Sequence, residues 1–124
     1  MNVVLWVIAG LLALAFLASG GIKVIQSKEK LAGMGMGWAS DFPAGGVKAI
    51  GALEVLGAIG LILPALLGIA TVLVPFAALG LGLTMIGAIV VHLRRGENSA
   101  IGAPIVLLLL SAFVLWGRFG PYAF

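Results

Sequence analysis

The sequence contains no cysteine, and this absence excludes several kinds of chemistry. Without a thiol the chain forms no disulfide, carries no cysteine nucleophile and supplies no thiolate to a metal cluster or a dithiol relay. It also has a single histidine, His92, which by itself does not make a metal site. The sequence shows no pairing of a nucleophile with a base. We therefore expect no metal, no intrinsic cofactor and no catalysis by this chain alone.

Charged residues are scarce as well. Only 9% of the 124 residues are charged, 63% are hydrophobic, and the mean hydropathy is +1.29. A chain this short has too little interior to hide that much apolar surface from water, so lipid must be its solvent. The net charge is +3, but the cations are scattered along membrane edges, which fits anionic headgroups better than nucleic acid. We expect a protein of the lipid bilayer with no nucleic-acid partner.

Long apolar runs take the place of charge. Four of them are long enough to cross about 30 Å of hydrocarbon at about 1.5 Å per residue. They lie near Val3–Ile25, Gly46–Leu63, Ile69–His92 and Ile101–Trp116. A proline opens the second connection, Pro64–Gly68, and predicts a tight turn between antiparallel helices. The sequence thus predicts an all-α fold, in which residues 1–124 form a single integral membrane domain, a four-helix transmembrane bundle.

The cations also predict which way the bundle faces. In a chain with four spans, the first and third connections, residues 26–45 and 94–99, lie on the same side of the membrane. These two loops and the adjoining helix ends hold six of the seven lysines and arginines. The positive-inside rule places the two loops in the cytoplasm and both termini outside. We expect a multi-pass protein of a prokaryotic plasma membrane.

A glutamate interrupts the second apolar run. Glu54 lies in an otherwise uncharged segment, where an ionised side chain costs roughly 2.5 to 3.5 kcal/mol on insertion scales. Helical spacing sets Ser19 and Lys23 on one face of the first helix, and Thr84 and His92 on one face of the third. All five side chains fall in the same half of the membrane, among small residues typical of helix contacts. They predict a buried polar seam inside the bundle.

Two interpretations of this seam remain open. Glu54 would either form a structural ion pair with Lys23, or a protonated carboxyl bonded to Ser19 or Thr84, and so specify the packing. Alternatively, the seam would line a binding site for a ligand. Three further residues, Lys48, Trp38 and Arg118, lie near helix ends, where we expect contact with headgroups or with a partner protein.

Four short motifs along the chain belong together. They are Ser19-Gly-Gly-Ile-Lys23, the run Gly51-x-x-Glu54-x-x-Gly-x-x-Gly-Leu-x-x-Pro64, His92 ahead of two arginines, and Trp116-Gly-Arg118. This set resembles the DoxX-like family of small four-helix membrane proteins. The resemblance covers nearly the whole chain and marks the positions of Lys23, Glu54, His92 and Arg118, but it implies no mechanism for them.

The resemblance also frames the function. The family is named after the small subunit of an archaeal thiosulfate:quinone oxidoreductase, and a distant vertebrate relative is an assembly chaperone for a receptor channel. The leading expectation is therefore a non-catalytic accessory or assembly component that packs against another membrane protein, a redox complex or a second copy of itself. The alternative is a membrane subunit that binds a quinone or lipid, with Glu54 and His92 at its headgroup. A small transporter is a weaker alternative, because Glu54 has no acidic counterpart in the fourth span.

Overall fold

The protein is described here by a computed structural model that covers residues 1–124, apart from the side chain of residue 44. Four helices in this described part are long and apolar enough to cross a membrane, as the sequence predicts. They are α1 (Asn2–Ile25), α3 (Ala44–Leu67), α4 (Leu73–Arg94) and α5 (Gly102–Phe119), while the short helix α2 (Lys28–Gly33) lies between α1 and α3. The chain is an all-α integral membrane protein.

The long helices form a closed ring. Helix α1 packs against α3, α3 against α4, α4 against α5, and α5 returns to α1. All four contribute buried side chains to one apolar core, which consists of Leu12, Phe16, Ala58, Leu61, Val74, Ala78, Leu81, Met85 and Val114. Many other large apolar side chains face outward, where lipid rather than water surrounds them. The interior is therefore small, and close contact between helices matters more than its volume.

Glycines allow α1 and α3 to approach closely. A Cβ atom added at Gly20 would lie 2.5 Å from the carbonyl oxygen of Gly51, and one added at Gly51 would lie 2.6 Å from Cβ of Lys23. Both distances are shorter than real side chains tolerate, and the backbone carbonyl cannot turn aside. Small residues at such crossings let membrane helices associate. This crossing fixes the position of Lys23 against α3.

The second long helix ends later than the sequence predicts. Pro64 lies inside α3 instead of opening the turn, because neighbouring groups in a membrane helix compensate for the missing proline N–H. The helix stops at Gly68, whose φ of 66° is left-handed. The N–H groups of Gly68 and Ile69 both donate to the carbonyl of Pro64, which completes the helix end. The turn therefore covers residues 68–72, and α4 begins at Leu73 instead of Ile69.

The first connection is folded. The Ser27 hydroxyl accepts a hydrogen bond from the Lys30 N–H and starts helix α2. A 3-10 helix follows over Gly37–Asp41. Leu31 and Ala39 of this connection are buried against Val47 of α3, with Ile22, Met36, Trp38 and Phe42 packed around them. We call residues 26–43 the cap, because this small cluster holds them over one end of the bundle.

Candidate functional site

Lys23 and Glu54 form a buried ion pair across the crossing of α1 and α3. Lys23 Nζ lies 2.6 Å from Glu54 Oε1 and also donates to Ser19 Oγ at 2.8 Å. The side chain of Lys23 is 9% exposed and that of Glu54 is 1% exposed. Because Gly20 and Gly51 bring the two backbones together, the lysine reaches the carboxylate without leaving the helix contact.

The second carboxylate oxygen of Glu54 has a different environment. Oε2 is buried and accepts no hydrogen bond from any described residue. An ionised carboxylate has about four acceptor positions, and a buried acceptor left unpaired costs roughly 1 to 3 kcal/mol. Oε2 is therefore the carboxylate oxygen of the pair that has no partner among the described residues.

A cavity of about 610 Å³ lies beside the ion pair. All four long helices and the cap contribute to its lining, which is mostly apolar. The volume falls in the range of small-molecule sites in proteins. The five residues of the predicted seam all line this cavity: Ser19, Lys23, Glu54, Thr84 and His92. Its remaining lining includes Phe16, Met36, Trp38, Phe42, Ile50, Leu53, Met85, Val91, Pro104 and Leu107.

Thr84 and His92 share the cavity but not the ion pair. The Thr84 hydroxyl donates to the Gly80 carbonyl at 2.9 Å within its own helix, as is common for threonine in membrane helices. His92 Nδ1 lies 3.0 Å from Glu97 Oε1 in the third connection. Among the described hydrogen bonds, those of the seam therefore join Ser19, Lys23 and Glu54, while the other two residues line the cavity from α4.

The cap contributes aromatic and thioether side chains to the cavity. Met36, Trp38 and Phe42 line it, and the Trp38 and Phe42 rings meet edge to face at 5.8 Å. Lys23 Nζ lies 5.6 Å from the centre of the Trp38 ring, within the range of a cation–π contact. Trp38 thus lines the cavity, and its contact with a headgroup or a partner stays a prediction. Met36 and Phe42 were not predicted to line a cavity. The signal in the sequence that points to them is that both are large apolar residues close to Trp38.

Charged residues fasten the cap to the third connection. The Arg95 guanidinium donates to the Asp41 carboxylate of the cap and, at 3.2 Å, to Glu97 Oε1. Glu97 also meets His92, and the hydrogen bond with His92, followed by the charge of Arg95, holds the pKa of Glu97 below its ordinary value. The hydrogen bond with the Asp41 carboxylate, in turn, raises the pKa of the Arg95 guanidinium. We call Asp41, His92, Arg95 and Glu97 the clasp.

The clasp shows that the first and third connections lie at the same end of the bundle. Asp41 and Arg95 are 54 residues apart in the chain. A Cβ atom at Gly37 would lie only 3.0 Å from Arg95 Nη2, so the guanidinium also rests on the backbone of the cap. The sequence assigned Arg95 to membrane topology, and no local pattern connects it with Asp41.

The other predicted residues take part in contacts within the chain. Lys48 is exposed, and its Nζ donates to the Val24 carbonyl at 2.7 Å, which covers the end of α1. Arg118 was predicted to contact headgroups or a partner, but it is buried. Its guanidinium donates to Asn2 Oδ1 at 2.6 Å and to the Tyr122 carbonyl at 2.9 Å, because these groups satisfy a charge enclosed at the other end of the bundle.

A second concave surface leads toward the cavity from outside. This groove of about 440 Å³ lies between α3 and α4, where Gly57, Gly60 and Gly80 have no side chains to fill the space. It shares Leu53 and Thr84 with the main cavity, and Leu53 is 60% exposed. In a bilayer, the groove therefore faces lipid and reaches the wall of the cavity.

The cavity lining joins a few polar groups to a mostly apolar surface. Among the described residues, no group of three or more histidines, aspartates or glutamates is placed to hold a metal ion. The polar groups are the ion pair with Ser19 on α1 and α3, and Thr84 and His92 on α4. This arrangement is typical of sites that orient an amphipathic molecule by its headgroup.

Comparison with known proteins supports the family resemblance. The model of the DoxX-like family matches residues 7–114 of this 124-residue chain. No curated protein and no solved structure matches it. The matched range includes Lys23, Glu54 and His92, and therefore the whole of the polar end of the cavity. The chain belongs to the DoxX-like family.

Proposed function

We propose that this protein binds a small amphipathic molecule of the membrane in the cavity between its helices. The observation that carries the proposal is the 610 Å³ cavity with a buried, partly unpaired carboxylate at one end of an apolar lining. The headgroup of the molecule would meet Glu54 beside Lys23. Its apolar body would lie against side chains such as Phe16, Met85 and Leu107. Lipids and quinones are both of this type.

The cavity favours this role over the accessory role that the sequence put first. A bundle that only packs against a partner is best served by a filled interior, since unfilled volume costs stability. A structural ion pair has no need of a chamber beside it. The groove between α3 and α4 adds a route, because molecules dissolved in the bilayer would enter past Leu53 and Thr84 without crossing water.

The test of this proposal is the content of the protein purified within its native lipids. Organic extraction and mass spectrometry of wild-type protein should return one class of molecule at about one per chain. Gly87→Phe should lose it: Gly87 lines the cavity, and a Cβ there meets no atom within 4 Å, so the ring can enter without forcing the backbone.

Gly10→Phe is the matched control. Gly10 also has no atom within 4 Å of an added Cβ, but it lies outside the cavity lining, so the variant should retain the molecule. Identical extracts from wild type, Gly87→Phe and Gly10→Phe would contradict the proposal and favour a bundle that serves as a scaffold for a partner.

We also propose that the cap and the clasp face the cytoplasm of a prokaryotic plasma membrane, since the cations concentrate at that end. The absence of native cysteine makes this simple to test with single introduced thiols. Lys30→Cys and Ser99→Cys are at exposed positions and should react with an impermeant reagent from the cytoplasmic side, and Pro121→Cys from the other. The reverse labelling pattern would overturn the orientation.

A further inference from the structure

We infer that the cavity selects molecules whose neutral headgroup donates a hydrogen bond, as the hydroxyl of a long-chain phenol or alcohol does, over molecules that only accept one. The inference rests on the proposed binding function. The polar side chains of the cavity include an acceptor without a partner, while their donors are engaged, and this balance determines which headgroup can bind.

Glu54 supplies the free acceptor. Its Oε1 is 2.6 Å from the Lys23 ammonium, and a carboxylate in such an ion pair only accepts hydrogen bonds. Its Oε2 is buried and accepts nothing from the described residues, although Glu54 is part of the cavity wall. A hydroxyl that reaches this carboxylate would form a charge-assisted hydrogen bond, which is about twice as strong as a neutral one.

The donors at the same end are already engaged. Lys23 has three N–H groups: one reaches Ser19 at 2.8 Å and one reaches Glu54. The ammonium also lies 5.6 Å from the centre of the Trp38 ring, which occupies a further side of it. The Thr84 hydroxyl donates to the carbonyl of Gly80. A headgroup that brings only carbonyl or ether oxygens would therefore have to replace the contact of the ammonium with the Trp38 ring or break one of these hydrogen bonds.

His92 also has an engaged donor. A carboxylate only accepts hydrogen bonds, so the N–H at Nδ1 of His92 donates to Glu97 and is not free for a headgroup. The headgroup should be neutral, because an anion would lie against Glu54 and a cation against Lys23 in a medium that screens charge poorly.

The test uses two ligands that differ only in whether the headgroup oxygen carries a hydrogen or a methyl group. A brominated para-octylphenol and its methyl ether have nearly the same apolar body, and bromine quenches tryptophan fluorescence on contact. Trp38 lines the cavity, whereas Trp6 and Trp116 lie at the opposite end of the bundle, beside Phe124 and Tyr122. Protein with Trp38 as its single tryptophan, in phosphatidylcholine nanodiscs, then reports occupancy of the cavity. Protein with Trp6 alone reports quencher dissolved in the lipid.

We expect the phenol to quench Trp38 at a concentration at least about ten-fold lower than the ether, as a charge-assisted hydrogen bond implies. A brominated long-chain alcohol tested in parallel against its own methyl ether should show the same preference. Comparing the affinities of the phenol and the alcohol then indicates whether the natural headgroup is aromatic or aliphatic. Equal quenching by phenol and ether would overturn the inference while leaving cavity binding intact. Quenching of Trp38 no stronger than that of Trp6, with every compound, would contradict the proposed function itself.

Glu54→Gln provides the converse measurement. The amide oxygen would remain the partner of Lys23, and the amide NH₂ would become a donor at the position of Oε2. The preference for the phenol should then disappear or reverse. An unchanged ten-fold preference for the phenol in this variant would show that Glu54 does not determine which headgroup binds. The wild-type comparison decides the inference independently of how well Glu54→Gln folds.

Discussion

Replacing Lys23 by methionine should destabilise the protein strongly, because it leaves a buried charge unpaired. The variant leaves the Glu54 carboxylate, 1% exposed, without its countercharge. Removing one partner of a buried ion pair typically costs about 3 to 5 kcal/mol, and we expect a loss in this range. Equilibrium unfolding by dodecyl sulfate in mixed micelles, followed by circular dichroism, measures this loss directly.

Two controls complete the measurement. Lys30→Met removes an exposed lysine of the cap and should change stability by less than about 0.5 kcal/mol. The double variant Lys23→Met with Glu54→Leu buries no charge and should recover most of the loss, because replacing both members of a buried pair by apolar residues is often nearly neutral. A Lys23→Met variant as stable as Lys30→Met, or a double variant that recovers none of the loss, would refute the reasoning.

Three further outcomes follow from the geometry. Gly20→Ala should destabilise the bundle by about 1 to 3 kcal/mol, since its Cβ would meet a backbone carbonyl at 2.5 Å, whereas Gly10→Ala should be neutral or slightly stabilising; equal unfolding curves would contradict this. The lowered pKa of Glu97 means that its contribution to the clasp is complete above the range in which an ordinary glutamate ionises and is lost as the carboxylate is protonated at lower pH. The protection of cap amides against hydrogen exchange, corrected for the intrinsic rate at each pH, should therefore fall more in wild type than in Glu97→Gln. Gly68→Ala should lower stability by about 1 kcal/mol, because φ of 66° disfavours a side chain, and no change would show that the turn readily rearranges.

Much of the fold could be predicted from the sequence because lipid simplifies the problem. Spans about 20 residues long with almost no charge have few alternatives to helices, so the number and approximate position of the spans followed from length and hydropathy. The site was also partly predictable. A lone glutamate deep in the membrane needs a polar or charged partner. Helical spacing put Lys23 and Ser19 on one face of α1, and in the structure Lys23 bonds to both Ser19 and Glu54.

The rest depended on contacts that no local pattern records. The bond between Asp41 and Arg95 joins residues from different connections, and the burial of Trp38 depends on how the cap folds back over α3. Pro64 illustrates a different difficulty: the rule that proline ends a helix comes from water, and α3 continues past it in a chain whose neighbouring helices replace the solvent. The cavity itself arises only when four helices and the cap are assembled.

The bond between Arg118 and Asn2 affects how the protein is made. These residues lie 116 positions apart, so the contact that ties α5 to α1 forms only after α5 has been synthesised. The crossing of Gly20 and Gly51 becomes available much earlier, as soon as α3 enters the bilayer. Helices α1 and α3 can thus pair, with their charges already neutralised, while α4 and α5 are inserted. Arg118 then closes the ring of helices, and a chain interrupted before this residue would keep its ion pair but leave the ring open.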